Sequence, residues 1–231
     1  MDANRNLADA RLNLANEAER ERRRIARDLH DQTLADLRHL MLVADQLRPN
    51  GNPGVMRREI ESISHEVRRI CEDLSPSVLQ NVGFAAALEF ALANAVQHAP
   101  AEKRFKYDFT CEEGLDEKAK LPGNVQMQIY RIVQETITNI CRHSGASNVL
   151  MDVRCSDDGD FTLAIEDDGR PFHITEANKS DGRGLANMRA RASLIEAELS
   201  WTSGQAGGTR FLLRRPQVNV QFSDKTRSQQ A

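Results

Sequence analysis

The feature that most constrains this chain is a pair of helix-breaking clusters dividing its first third. Residues 5–48 contain neither glycine nor proline. Ala26, His30, Thr33, Leu34, Leu37, Met41 and Ala44 recur there at three- and four-residue steps, which predicts one long helix. Ile25, Leu29, Leu40 and Leu47 widen the stripe beyond the seam of a two-stranded coil, as in a bundle helix. Arg48-Pro49-Asn50-Gly51-Asn52-Pro53-Gly54 then forces a turn. A second helix, about Val55 to Leu74, carries Ile60, Ile63, Val67, Ile70, Cys71 and Leu74 on its apolar face, and Ser75-Pro76 stops it. Two helices and a short turn make an antiparallel hairpin with too little to pack against alone. Two copies would bury both apolar faces as a four-helix bundle. Leu7, Leu12, Leu14 and Ala18 form a weaker seam over residues 1–20, a coiled-coil extension.

After Pro76 the pattern changes. Gly83 to Gln97 reads as an alanine-rich helix and Arg104 to Thr110 as a strand, with Phe105, Tyr107 and Phe109 on one side. Val125 to His143 is a strongly periodic helix. Asn148 to Arg154 and Asp160 to Glu166 read as strands joined by a hairpin turn at Ser156-Asp157-Asp158-Gly159. Gly184 to Ala197 is helical, and Leu199 to Thr202 and Thr209 to Arg214 are further strands. The tail from Pro216 is polar. Helices and strands mix without a regular βαβ rhythm, so the expectation is α+β, with an α/β sandwich after the hairpin.

With 28% charged and 40% hydrophobic residues over 231 positions, the composition is that of a globular protein. A net charge of −3 gives no reason to expect nucleic acid as the main partner. The basic run Arg22 to Arg24 reads as a solvated helix face. No apolar run is long enough to span a bilayer, and the expected location is cytoplasmic, either alone or as the cytosolic part of a longer, membrane-associated protein. Cys71, Cys111, Cys141 and Cys155 are too scattered for a zinc site or a disulfide scaffold.

Three blocks carry chemistry. In the first, Glu21 to Asp31, a histidine is followed directly by an acid. A neutral imidazole attacks phosphorus when a carboxylate on its other nitrogen fixes the tautomer, and Asp31 is available to hold His30 so. Alone, the pair reads more readily as an interfacial histidine of a coiled coil, and the other blocks reverse that balance. In the second block, Glu135, Asn139 and Arg142 or His143 share one helix face. Asn139 offers a neutral oxygen to Mg²⁺, and Arg142 and His143 can meet phosphate oxygens. A plain solvated helix face would need no such order of residue types. In the third, Asp167 ends a strand where its carboxylate can accept from an exocyclic amine, and Gly169 opens a turn. Gly182 and Gly184 introduce a helix whose amides can face phosphates, and Gly207-Gly208-Thr209 offers another close approach.

The chain resembles the cytoplasmic core of bacterial two-component sensor histidine kinases, in particular the nitrate-sensor and thermosensor subfamily. The carriers are E-R-R-R-I-A-R-D-L-H-D at Glu21 to Asp31 and Glu72-Asp73-Leu74-Ser75-Pro76 followed by Leu79 and Gly83-Phe84. Gln134-Glu135-Thr136-Ile137-Thr138-Asn139, Asp167-Asp168-Gly169 and Gly182-Arg183-Gly184-Leu185 complete them. The five motifs stand in the family's order over roughly residues 15–215. The resemblance implies a gyrase-like ATP-binding domain over 77–216 behind a dimeric hairpin over 21–76, with a lid at about Pro171 to Arg183 and a loose tail at 217–231.

It further implies ATP and Mg²⁺ as cofactors, a homodimer, and a response-regulator receiver domain as the partner taking the phosphoryl group. His30 is then the phospho-acceptor, with Asp31 and Glu135 beside it in catalysis. Asn139 binds Mg²⁺, and Arg142 and His143 lie at the phosphates. Asp167 contacts adenine, while Gly169, Gly182, Gly184, Leu185 and Thr209 shape the pocket. The signal enters from an upstream domain or another protein. Two positions depart from the family pattern. Pro171 stands where the first glycine box has its second glycine. Ala35 stands where the subfamily has a water-positioning glutamine, and Gln32 is on the wrong turn to replace it. The alternatives are a regulator-phosphatase and a non-catalytic signalling dimer with a degenerate nucleotide pocket.

Overall fold

The computed structural model describes residues 2–46, 53–171, 182–205 and 207–217. The chain forms two compact units, Met1–Ala86 and Ala87–Ala231.

In the first unit, α1 (Asp2–Asp28) and α2 (Leu34–Gln46) are joined without a break by a π-turn, Leu29–Thr33. The expected long helix is therefore present over 2–46, but wound one residue wider at the His30 segment. This explains which residues it buries. Two ordinary α-turns span about 7.2 residues and would place Thr33 beneath Ala26. The extra residue of the π-turn puts Leu34 there instead, and Ala26 and Leu34 are the buried pair. α3 (Pro53–Leu74) begins at a proline, whose missing N–H costs nothing in a first helical turn. Most of the turn expected at 48–54 lies outside the described residues. Leu34, Leu37 and Ile60 form the core, with Met41 and Val67 packed against it. The Cys71 thiol donates to the Ala26 carbonyl at 3.3 Å, fastening α3 to α1. Ser75 N–H closes the end of α3 on the Cys71 carbonyl at 2.8 Å, where the proline stop was expected. A short α4 (Val78–Asn81) follows.

α5 (Phe84–His98) starts behind Gly83, whose φ of 97° only glycine adopts readily. The second unit continues with β1 (Lys106–Cys111), α6 (Leu115–Ala119), α7 (Gly123–Asn139), a second π-turn (Ile140–Ser144), β2 (Asn148–Cys155) and β3 (Phe161–Asp167). It ends with α8 (Gly182–Leu194), β4 (Glu198–Ser203) and β5 (Thr209–Arg215). The five strands form one sheet in the order β1-β2-β3-β5-β4, with β1 and β2 parallel and the other pairs antiparallel.

Strand alternation gives this sheet one buried face and one open face. Val149, Met151, Val153 and Cys155 of β2 are buried, while Asn148, Leu150 and Arg154 are exposed. On β3 the buried series is Phe161, Leu163, Ile165 and Asp167. The apolar face therefore ends, at one edge, in a carboxylate. The β2–β3 hairpin turns at Gly159 (φ 84°), whose N–H donates to the Ser156 carbonyl at 2.8 Å. Ile129, Ile132 and Val133 of α7 are fully buried, and α7 packs against α8, where Arg191 Nη1 donates to Gln128 Oε1 at 2.6 Å. α8 closes on Glu196 at φ 54°, with Ala197 N–H returning to the Ala192 carbonyl, a C-cap built without glycine.

Candidate functional site

Three consecutive acids, Glu166 and Asp167 at the end of β3 and Asp168 just after it, take three different settings. Glu166 faces outward, accepting from Gln205 N–H at 2.6 Å and from Arg210 Nη1 at 3.3 Å, and so holds the β4–β5 loop. Asp168 accepts from Ser147 N–H at 2.7 Å, Asn148 N–H at 2.9 Å and Asn148 Nδ2 at 2.7 Å. Those bonds clamp the start of β2 to the end of β3 and hold the Asp168 carboxyl below its ordinary range, the Asn148 contacts most of all. Only Asp167 points inward, 4% exposed. Its Oδ1 accepts from Gly169 N–H at 2.9 Å, and Thr209 N–H is a second backbone donor.

Burial pushes the Asp167 carboxyl above the usual range, against the pull of these two N–H groups. The charges of Asp168 and Glu166 add to the rise. A buried carboxylate with backbone partners only has acceptor capacity left for an amine donor.

The glycines around it are fixed by packing. A β-carbon on Gly208 (φ 64°) would overlap the Asp167 carbonyl, and one on Gly169 would overlap the Ser144 carbonyl. Gly184 lies within the first turn of α8, not ahead of it, and a β-carbon there would overlap Glu135 Oε1. The carboxylate of Glu135 therefore lies at the start of α8. Gly182 opens that helix. Leu185 is buried in the core, and Thr209 is buried at the start of β5.

Asn139 is the last residue of α7 and is half-buried. Arg142 and His143 follow on the π-turn, both exposed, and line a cleft together with Ile140, Ser144 and Gly169. Within the second sequence block, Glu135 lies against the start of α8 and Arg142 and His143 line the cleft. Among the described residues no cluster of three His, Cys, Asp or Glu side chains could hold a metal. A cation here would rest on an asparagine oxygen plus ligand phosphates and water, which is the habit of Mg²⁺. The lid expected at Pro171 to Arg183 lies, over 172–181, outside the described residues.

His30 and Asp31 belong to the first unit. They sit in the π-turn with side chains 55% and 71% exposed, and His30 Nδ1 lies 3.1 Å from Asp31 Oδ1. Sequence reasoning gave no hint of the π-turn, of the clamp at Asp168 or of the Gly184–Glu135 contact. The only signal for Asp168 is its place beside Asp167.

Residues 124–219 match the family described as histidine kinase-, DNA gyrase B-, and HSP90-like ATPase. The sensor histidine kinase MctS of Rhizobium johnstonii is 31% identical over 221 residues, covering 89% of this chain and 46% of the relative. The chain carries a sensor histidine kinase core. The signal transduction histidine-protein kinase/phosphatase DegS of Brevibacillus brevis is 26% identical over 215 residues, covering 89% of this chain and 53% of that one. This core therefore spans about half the length of both relatives. The blue-light activated histidine kinase EL346 of Erythrobacter litoralis shares the fold at a TM-score of 0.51 and 19% identity, over 81% of this chain and 59% of that one. No helix among the described residues of the kinase core is long and apolar enough to cross a membrane.

Proposed function

We propose that this core is an ATP-dependent protein-histidine kinase which phosphorylates His30 and passes the group to an aspartate of a response-regulator receiver domain. The observation that carries the reading is the setting of His30. Its ring is exposed, Nδ1 is taken by Asp31, and Nε2 has no protein partner among the described residues.

With Nδ1 protonated and held by the Asp31 carboxylate, the Nε2 lone pair points outward as a nucleophile. It attacks the γ-phosphorus of ATP. The Nε2–P bond forms, the bond to the bridging oxygen of the β-phosphate breaks, and ADP leaves. Asp31 stabilises the cationic ring and accepts the Nδ1 proton. In the second transfer the N–P bond breaks as an aspartate oxygen of the receiver attacks. Both steps are mostly positioning and charge neutralisation.

In this reading Asp167 accepts from the adenine amine, its desolvation offset by that bond. Asn139 holds Mg²⁺, which supplies charge neutralisation at the phosphates. Glu135 orients the reacting groups from the start of α8, and Arg142 and His143 lie at the phosphates. Gly169, Gly182, Gly184, Leu185 and Thr209 shape the pocket. The core acts as a homodimer within the cytoplasm, its hairpins paired through apolar residues that one copy leaves exposed.

The Brevibacillus relative is named a kinase/phosphatase. Here the exposed Ala35 has no side-chain group to orient a water, so forward transfer dominates over removal of phosphate from the receiver. The test is labelling with γ-labelled ATP and Mg²⁺. The label is expected to be acid-labile and base-stable, and absent from His30→Gln although that variant still binds ATP. Undiminished labelling of His30→Gln would overturn the assignment.

A further inference from the structure

Two polar contacts join α7 to α8, and their spacing is the same on both helices. Arg191 Nη1 donates to Gln128 Oε1 at 2.6 Å. The Glu135 carboxylate lies against Gly184, in the space a β-carbon there would take. Glu135 stands seven residues after Gln128, and Gly184 stands seven residues before Arg191. The two helices therefore run antiparallel, and the contacts lie two turns apart, about 10 Å along each axis. Both belong to a single register of α8 on α7. A slip of α8 by one turn, about 5.4 Å, would break them together.

The buried side chains between the two contacts on α8, Leu185 and Met188, are apolar, and Ile132 and Val133 of α7 are fully buried. Apolar burial holds such faces together without fixing their register to one turn, and methionine adapts to either neighbour. A directional polar bond does fix register. Gln128 is 3% exposed, so its amide cannot trade this partner for water without cost. The guanidinium of Arg191 makes the bond charge-assisted. Gln128, Glu135 and Asn139 also recur at steps of seven and four, on one stripe of α7. The bond thus stands at the far end of the stripe whose near end carries Glu135 and Asn139. Neither Gln128 nor Arg191 belongs to the five motifs.

We infer that Gln128 and Arg191 are positioning residues for phosphoryl transfer. Their bond pins the register of α8 on α7, and so holds Glu135 at Gly184 and the first turn of α8 in place at the nucleotide phosphates. The inference rests on the kinase reading above. Both residues act through Glu135, two turns away, and not on the nucleotide itself. Transfer that is mostly positioning is sensitive to a displacement of this kind even when it begins far from the reacting atoms.

The test is labelling of the full chain at saturating γ-labelled ATP with Mg²⁺, with urea melts to check that each variant is folded. Gln128→Met and Arg191→Met keep a long side chain and remove the bond. Each is expected to slow labelling by about tenfold or more. Gln128→Glu keeps an acceptor for Arg191 and is expected to bring the rate back to within about threefold of wild type. In a Glu135→Gln background, Gln128→Met is expected to cost less than about a further twofold, because the bond acts through Glu135. A bond that only stabilised the fold would cost the same factor in both backgrounds. Hydrogen exchange supplies a readout that needs no catalysis. The amides of residues 186–189, bonded to the carbonyls of the first turn of α8, are expected to exchange about tenfold faster in Gln128→Met and at the wild-type rate in Gln128→Glu. Wild-type labelling in either Met variant, equal losses in both backgrounds, no recovery in Gln128→Glu, or unchanged exchange would each overturn the inference. A wild type that takes no label refutes the kinase reading, and the exchange result alone then decides whether the pin exists.

Discussion

Glu135 and Gly184 contend for one space: the carboxylate Oε1 of Glu135 occupies the position a β-carbon on Gly184 would take. The obstruction is the far end of a flexible side chain and not backbone, so an alanine there can be admitted if Glu135 swings away. Alanine also favours a helix over glycine by up to about 1 kcal/mol.

Gly184→Ala is therefore expected to change stability by less than about 1 kcal/mol while lowering His30 phosphorylation through displacement of Glu135. Combined with Glu135→Gln, it is expected to add little further loss. Labelling rates for the two single variants and the double, with urea melts in parallel, check this. A large loss of stability with labelling intact would contradict it.

Gly208 presents the opposite case. A β-carbon there would meet the Asp167 carbonyl, which is fixed in β3, and φ is 64°. Gly208→Ala is expected to cost about 3 kcal/mol or more, read as a lowered urea midpoint at unchanged slope. It is also expected to abolish ATP binding, because Asp167 and Thr209 are displaced together.

Asp167 yields a prediction with a definite sign. Its folded pKa is raised by burial above the unfolded value. The charged form is thus penalised in the folded state, and stability falls as pH rises from the unfolded pKa through the folded one, then stays level. Asp167→Asn removes that dependence. The melting temperature of Asp167→Asn minus that of wild type is expected to be more positive at about pH 7.5 than at about pH 4.5, even though the variant no longer binds ATP. A difference that does not change with pH would show that the carboxylate is not desolvated.

The hairpin leaves Leu40 (51% exposed) and Ile63 (50% exposed) uncovered in one copy. A charge at either position costs a monomer little. Ile63→Glu is expected to shift sedimentation from dimer to monomer while helical circular dichroism is kept. A wild-type monomer, or a variant that stays dimeric, would contradict the paired-hairpin reading.

What could be read from the residues follows from the range of the forces involved. The stop at Ser75-Pro76, the turn at Gly159 and the alternation of β2 are local, and each appeared where expected. The π-turns were invisible because i→i+5 bonding leaves residue types unchanged and shifts only which of two adjacent stripe residues is buried, Leu34 instead of Thr33. Asp167 was found because strand parity and its place before Gly169 are sequence properties. The work of its neighbours was not, since Glu166 reaches Gln205 and Asp168 reaches Asn148 across contacts made only by the folded sheet. Arg142 and His143 follow Asn139 on the second π-turn, whose wider winding leaves no trace in the residue types.

The central claim is that His30 is the phosphorylated atom's home, and the sequence offers a direct measurement. Cleavage after Arg27 and Arg38 releases the peptide Asp28–Arg38, in which His30 is the sole histidine and Thr33 the sole hydroxyl residue. After incubation of the full chain with Mg²⁺ and ATP, digestion at neutral to alkaline pH and fragment-ion mass spectrometry assign the phosphoryl group within this peptide. The account predicts phosphate on His30, lost on brief acid treatment. Phosphate on Thr33, or an Asp28–Arg38 peptide unmodified while the chain is labelled elsewhere, would contradict it.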